Sequence, residues 1–115
     1  SANHNIQFNF SIDEKLKNKK FSSVVGVNLY RTIQESVNNA MKYANANHII
    51  INAEKFKEGL KIEIKDDGKG FDTEKVDLGN GLLNMKKRID EMDGNFFINS
   101  EIGKGTSVNV ELEKF

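Results

Sequence analysis

Two spacings organise this chain. Ile6, Phe8 and Phe10 alternate with polar residues, the period-two pattern of a short strand. The stretch "DEKLKNKK" at 13–20 then reads as a solvated charged loop or irregular turn. From Ser22 or Ser23, either able to cap a helix, the period changes: Leu29, Ile33, Val37, Ala40, Met41 and Ala44 recur at three and four, so a long helix is predicted to about Ala44, with these residues as its core stripe. "HIIINAEKF" (48–56) and "GLKIEIKD" (59–66) read as strands joined near Lys57-Glu58-Gly59, an antiparallel hairpin. A second helix is predicted after Gly81, with Leu82, Met85, Ile89 and Met92 on one face and Gly94 just past its end. Two last strands, about 95–100 and 106–112, flank a turn at "EIGKG". This order predicts an α/β (α+β) two-layer sandwich, a mixed, mainly antiparallel sheet with helices on one face.

Composition narrows the class. The 115 residues suit one compact domain spanning 1–115. Seventeen Lys+Arg balance seventeen Asp+Glu, so no strong field calls for nucleic acid or an acidic membrane as partner. The absence of cysteine removes disulfides and thiolate metal sites and fits a reducing interior. No apolar run approaches the roughly 20 residues that span a bilayer. The chain is expected to be soluble, while the start at Ser1-Ala2 leaves a longer parent open.

Candidate chemistry gathers at three places. On the long helix Glu35, Asn39 and Lys42 share one face, roughly opposite the apolar stripe. A solvated surface is the bland alternative. Against it, Asn38-Asn39 lies mid-helix, where each Asn is less favourable than Ala by up to roughly 0.7 kcal/mol and neither can cap. An amide oxygen is also a neutral hard ligand, able to share Mg²⁺ with phosphates and water. A Glu one turn earlier can accept a proton or hold a water.

The second place is "KDDGKGF". An ionised Asp offers acceptors alone, so in a pocket it can take a hydrogen bond from an exocyclic amine such as that of adenine, whereas guanine's carbonyl would be repelled. Gly68 and Gly70 can adopt positive φ and admit a flat ligand close to backbone. The alternative is a plain glycine-rich turn, although no strand returns directly after it. The third place is Gly79 and Gly81 before the second helix, whose free N–H groups and dipole can meet phosphate oxygens. Simple helix entry through a flexible loop competes with that reading. Lys86, Lys87 and Arg88 lie beyond the first turn and read as surface charges. "GKGTS" (103–107) is not a Walker A motif, because Gly105 follows Lys104 and the segment leads into a strand. "GNGLLN" (79–84) is not a dinucleotide fingerprint, because Asn84 occupies the third small position.

In order, the blocks "LYRTIQESVNNAMKYANA", "DDGKGF", "GNGLLNMKKRI" and "GKGTSVNVEL" resemble the catalytic, ATP-binding domain of sensor histidine kinases. That domain has the Bergerat-type fold shared with gyrase-type ATPases, large heat-shock chaperones and mismatch-repair ATPases. The resemblance covers about Tyr30 to Leu112 and is nearest to kinases that signal to response regulators with a helix-turn-helix output. It implies catalytic roles for Glu35, near the γ-phosphate, and for Asn39, the ligand of Mg²⁺. ATP would further meet Lys42, Tyr43, Gly79, Gly81 and Leu82 on the phosphate side, and Asp66, Gly68, Gly70 and Thr106 around adenine. A short lid would occupy residues 71–78. Two departures stand out: Tyr43 where the family often has His, and Asp67 where it often has Asn.

No acceptor histidine is evident. His4 sits near the start and His48 opens a predicted strand. The resemblance therefore implies a separate dimerisation segment carrying the phosphoacceptor His, a response regulator as downstream partner, and little autophosphorylation by this chain alone. It also implies a cytoplasmic domain with no direct contact to nucleic acid or membrane, the parent's anchoring being left open. The alternatives are a serine kinase of the anti-sigma-factor type and an ATP-gated or degenerate nucleotide-binding module.

Overall fold

The computed structural model describes residues 5–42, 44–72 and 79–115. The chain runs through β1 (Gln7–Ile12), a 3-10 turn (Glu14–Leu16), α1 (Ser23–Lys42), β2 (His48–Phe56), β3 (Gly59–Asp66), α2 (Gly79–Glu91), β4 (Asn95–Glu101) and β5 (Gly105–Leu112). The strands form one sheet in the order β1-β2-β3-β5-β4. β1 is parallel to β2, and the other neighbours are antiparallel. The mixed, mainly antiparallel two-layer architecture is as expected.

Strand alternation decides which face is covered. In β3, Leu60, Ile62 and Ile64 are buried while Lys61 and Lys65 are exposed. Register sets Ile64 between Ile51 and Val108, and Ile62 beside Val110, so these aliphatics share one face. Leu29 and Ala40 of α1 and Met85 and Ile89 of α2 join the same buried cluster, which puts both helices on that face. Each fully buried aliphatic of this kind contributes about 1.5–3 kcal/mol. The opposite face is polar: Asn52, Glu54, Lys61, Glu63, Asn109 and Glu111 surround Phe97 over an open hollow of about 250 Å³.

Ser22 proves to be the cap of α1, its Oγ accepting from the Val25 N–H at 3.2 Å. The buried stripe of α1 is more polar than its apolar spacing predicts. Thr32 and Ser36 are buried with Leu29 and Ala40, whereas Met41 is 48% exposed. Thr32 Oγ1 donates to Asn28 O at 2.8 Å and Ser36 Oγ to Thr32 O at 2.7 Å, so neither hydroxyl is buried without a partner.

Three other details differ from expectation. The segment 13–20 is not wholly solvated, because Leu16 is buried and Asp13 ties the turn to β2 by accepting from the Lys55 N–H at 3.1 Å. α2 begins at Gly79 rather than after Gly81. At its C-terminal end Asp93 carries the positive φ of 60°, and the Gly94 N–H donates to Ile89 O at 2.9 Å. β1 is an edge strand whose Phe8, Phe10 and Ile12 stay exposed. Among the described residues no helix is long and apolar enough to cross a membrane.

Candidate functional site

At one end of the sheet Ile49, Asp66, Thr106 and Ser100 are successive cross-strand neighbours on the helix-side face. Asp66 closes β3 and is only 8% exposed. Its Oδ1 accepts from the Gly68 N–H at 2.8 Å. Burial holds the carboxyl above its ordinary pKa; backbone N–H groups of Gly68 and Thr106 oppose that rise, and the neighbouring Asp67 charge adds to it. Among the described residues no cation pairs with it. Such a carboxylate keeps lone pairs for a donor from outside.

The glycines around Asp66 serve different ends. Gly70 has φ +64°, and a Cβ there would lie 2.1 Å from the Glu101 carbonyl oxygen. Gly68 does not need positive φ, contrary to expectation. A side chain at Gly68 would strike Ala44, whose Cβ and carbonyl oxygen lie 2.5 Å from the ideal Cβ position.

Thr106 is braced by Ser100, which the sequence reading did not single out. Ser100 Oγ accepts from the Phe71 N–H at 2.9 Å and donates to Gly105 O at 3.1 Å. With its proton so placed, it accepts from Thr106 Oγ1 at 2.8 Å, leaving the threonine oxygen as an acceptor. The available signal was symmetry: Ser100 and Thr106 pair across the turn between β4 and β5.

The polar face of α1 is not simply solvated. Glu35 and Asn39 are half-buried, while Lys42 is exposed. A Cβ on Gly81 would approach Glu35 Oε1 to 2.5 Å, so the carboxylate lies against the first turn of α2. Two turns earlier Asn28 Nδ2 reaches Met92 Sδ at 3.5 Å, placing this stripe of α1 along α2. The N-terminal end of α2, with its first-turn N–H groups and the positive end of its dipole, thus faces the Glu35 side. Leu82 is half-buried against the core. Lys86 pairs with Asp90 at 3.1 Å on the surface, as a solvated charge should. Tyr43 and residues 73–78 of the expected lid (71–78) lie outside the described residues.

Backbone contacts bring the end of α1 to the Asp66 turn. The Ala46 N–H donates to Ala40 O at 3.2 Å, and the Lys69 N–H donates to Ala44 O at 2.8 Å. Asp67 adds a second tie. Its Oδ1 accepts from the Asn47 and His48 N–H groups, each at 2.8 Å, and its Oδ2 lies 2.7 Å from His48 Nδ1. The His48 backbone N–H and then its ring hold Asp67 down at about 2. His48 itself is exposed at the start of β2, as expected of a strand-edge histidine. Among the described residues no three His, Cys, Asp or Glu side chains could hold a metal ion together. The amide oxygen of Asn39 is a neutral hard donor of the kind that can share a divalent cation with a phosphate chain.

A mixed sheet with two helices on one face, glycine-bound turns at one end and a buried acceptor between them is a frame suited to a nucleotide. The chain belongs to the histidine kinase-, DNA gyrase B-, and HSP90-like ATPase family, whose model matches residues 25–114. The signal transduction histidine-protein kinase/phosphatase DegS of Bacillus subtilis is 33% identical over 114 residues, which cover 96% of this chain and 30% of that protein. The chain thus spans less than a third of that relative. The histidine kinase domain from the Erythrobacter litoralis EL346 blue-light activated histidine kinase shares the fold with a TM-score of 0.78 at 18% identity, over 94% of this chain and 51% of that one. The ATP binding domain of PrrB from Mycobacterium tuberculosis matches with a TM-score of 0.63 at 20% identity, over 75% and 66% of the two chains. The chain is a histidine kinase-like ATPase domain.

Proposed function

We propose that this domain binds Mg-ATP and presents its γ-phosphoryl to a histidine on a separate dimerisation segment of a sensor kinase, which then signals to a response regulator. Asp66 is the observation that carries the reading: a buried carboxylate at the open end of the sheet, held by backbone N–H groups and lacking a cationic partner among the described residues. Such a group accepts the exocyclic amine of adenine and rejects the carbonyl of guanine. Thr106, braced by Ser100, offers an acceptor oxygen beside it. Gly68 and Gly70 let the turn after Asp66 pack directly against Ala44 and Glu101, which keeps that turn close to the end of the sheet where the base would sit.

The phosphates would run from there toward α1 and α2. Gly79, Gly81 and Leu82 bring the N-terminal end of α2 to them, Lys42 contributes a cation at the rim, and Tyr43 would lie beside them. Asn39 supplies an amide oxygen to the magnesium ion, which when bound would neutralise phosphate charge. Glu35, acceptor-only and close to Gly81, holds water next to the terminal phosphate. The acceptor imidazole nitrogen attacks phosphorus as the bond to the ADP oxygen breaks, and positioning supplies most of the acceleration. The domain would then act in the cytoplasm, beside the dimerisation segment.

Calorimetry tests this with ATP and GTP in the presence of Mg²⁺. The wild type should bind ATP and not GTP, and Asp66→Asn should lose most of the affinity. Equal binding of the two nucleotides would remove the adenine contact from the proposal.

A further inference from the structure

Resting on that reading, we infer that Asp67 is a positioning residue, a clamp that sets the adenine carboxylate at a fixed place relative to the phosphate-side face of α1. Asp66 leaves β3 at one end of the site, while Glu35 and Asn39 belong to α1 at the other. The chain passes from α1 to β2 through residues 43–47. Asp67 fastens it, because one carboxylate oxygen accepts both the Asn47 and His48 N–H groups and the other lies 2.7 Å from His48 Nδ1. The Asp67 N–H returns a bond to His48 O at 3.2 Å, and two residues on the Lys69 N–H holds Ala44 O. Gly68 lies between these ties, with no room for a side chain against Ala44. Hence the turn that carries Asp66 and the turn that ends α1 form one hydrogen-bonded unit.

A nucleotide spans both ends. If their separation is held, the second contact forms at high effective concentration once the first is made; slack in the clamp lowers that concentration without altering either contact. Adenosine engages the Asp66 end alone. Loss of the clamp should therefore weaken ATP far more than adenosine, a split that a general loss of stability does not produce.

The test titrates Mg-ATP and adenosine into the 115-residue chain by NMR, with melting curves, for the wild type, Asp67→Ala, Asp67→Asn, His48→Ala and Asp66→Asn. Asp67→Ala should weaken Mg-ATP about 10-fold and adenosine by less than about 2-fold. Asp67→Asn keeps an acceptor oxygen for the two backbone N–H groups and should return Mg-ATP to within about 3-fold of wild type. His48→Ala keeps those backbone bonds and should cost Mg-ATP about 3-fold with adenosine unchanged, which preserves the test if Asp67→Ala does not fold. Equal effects on both ligands, or no effect from any clamp variant, would overturn the clamp while leaving the nucleotide reading intact. A wild type that binds neither ligand would overturn both, and Asp66→Asn binding as tightly as wild type would overturn the nucleotide reading from which the clamp follows.

Discussion

The two ends of the candidate site are built from different materials. The Asp66 end is backbone: strand register places Asp66, Thr106 and Ser100 in a row, and Gly70 and Gly105 allow turns to touch where a Cβ would strike a carbonyl oxygen at 2.1 Å. The Glu35 end is side chain on helix, with the carboxylate laid against Gly81 and a half-buried Asn39 one turn further on. Ladder hydrogen bonds hold the first in register, whereas the second depends on rotamers and on how α2 meets α1. Under the proposed function the first end would take the base, which is flat and always the same and so suits a rigid slot. The second would take a phosphate chain that must be released and realigned, which suits the adjustable end.

Substitutions can break this contrast in order of size. Asp66→Asn should have the largest effect on binding, about 100-fold or more for ATP, since a hydrogen bond to a buried charged group is lost. Its melting temperature at pH 7 should be unchanged or slightly higher. The folded-state pKa of Asp66 is raised, so its ionisation opposes folding above the ordinary value, and that penalty disappears with the charge. Gly70→Ala attacks the backbone end directly. With φ at +64° and Glu101 O in the way, it should cost about 2–3 kcal/mol in a denaturant titration.

Gly81→Ala attacks the side-chain end, and its outcome should be milder in stability. The atom met first is the tip of Glu35, which can swing away, so stability should fall by less than about 1 kcal/mol while ATP affinity drops several-fold by about the worth of one displaced contact. A calorimetric titration beside a urea melt separates the two. If Gly81→Ala proved as destabilising as Gly70→Ala, the supposed adjustability of that end would be wrong.

The smallest effect is in the acid limb. Asp67 is depressed from 3.8 to about 2 in the folded chain, so the stability it contributes is complete above the ordinary value and is lost as pH falls toward 2. Between pH 4 and 2 the wild type should therefore lose stability more steeply than Asp67→Asn. With the side chain 45% exposed, solvent screening keeps the difference small. Parallel acid melts of the two chains would contradict the clamp geometry.

Much of this protein could be read from residue spacing, because short-range periodicity and turn chemistry are local properties. The hairpin between Phe56 and Gly59, the stop of β3 at Asp66 and the glycine blocks were all evident along the chain. Met41 was misjudged as core because its spacing fits the helical stripe. Whether a stripe position is buried depends on which neighbour covers it, and Thr32 and Ser36 take the covered positions by donating back to their own helix. Phe8 and Phe10 alternate as strand residues should, yet β1 is an edge strand and they stay exposed.

For the proposed site, residue types singled out Glu35, Asn39 and Asp66 as candidates, since a mid-helix Asn and a strand-ending Asp before two glycines are locally unfavourable. The bracing of Thr106 by Ser100, the contact of Glu35 with Gly81, and the reason for the second aspartate could not be read that way. Each joins residues far apart in the chain, and only the register of the strands and the seating of α2 on α1 bring them within hydrogen-bonding or van der Waals reach. Local pattern decided the elements and the residue types they carry. Tertiary packing decided which groups meet, because distances between elements are set by the core they share and not by the sequence between them.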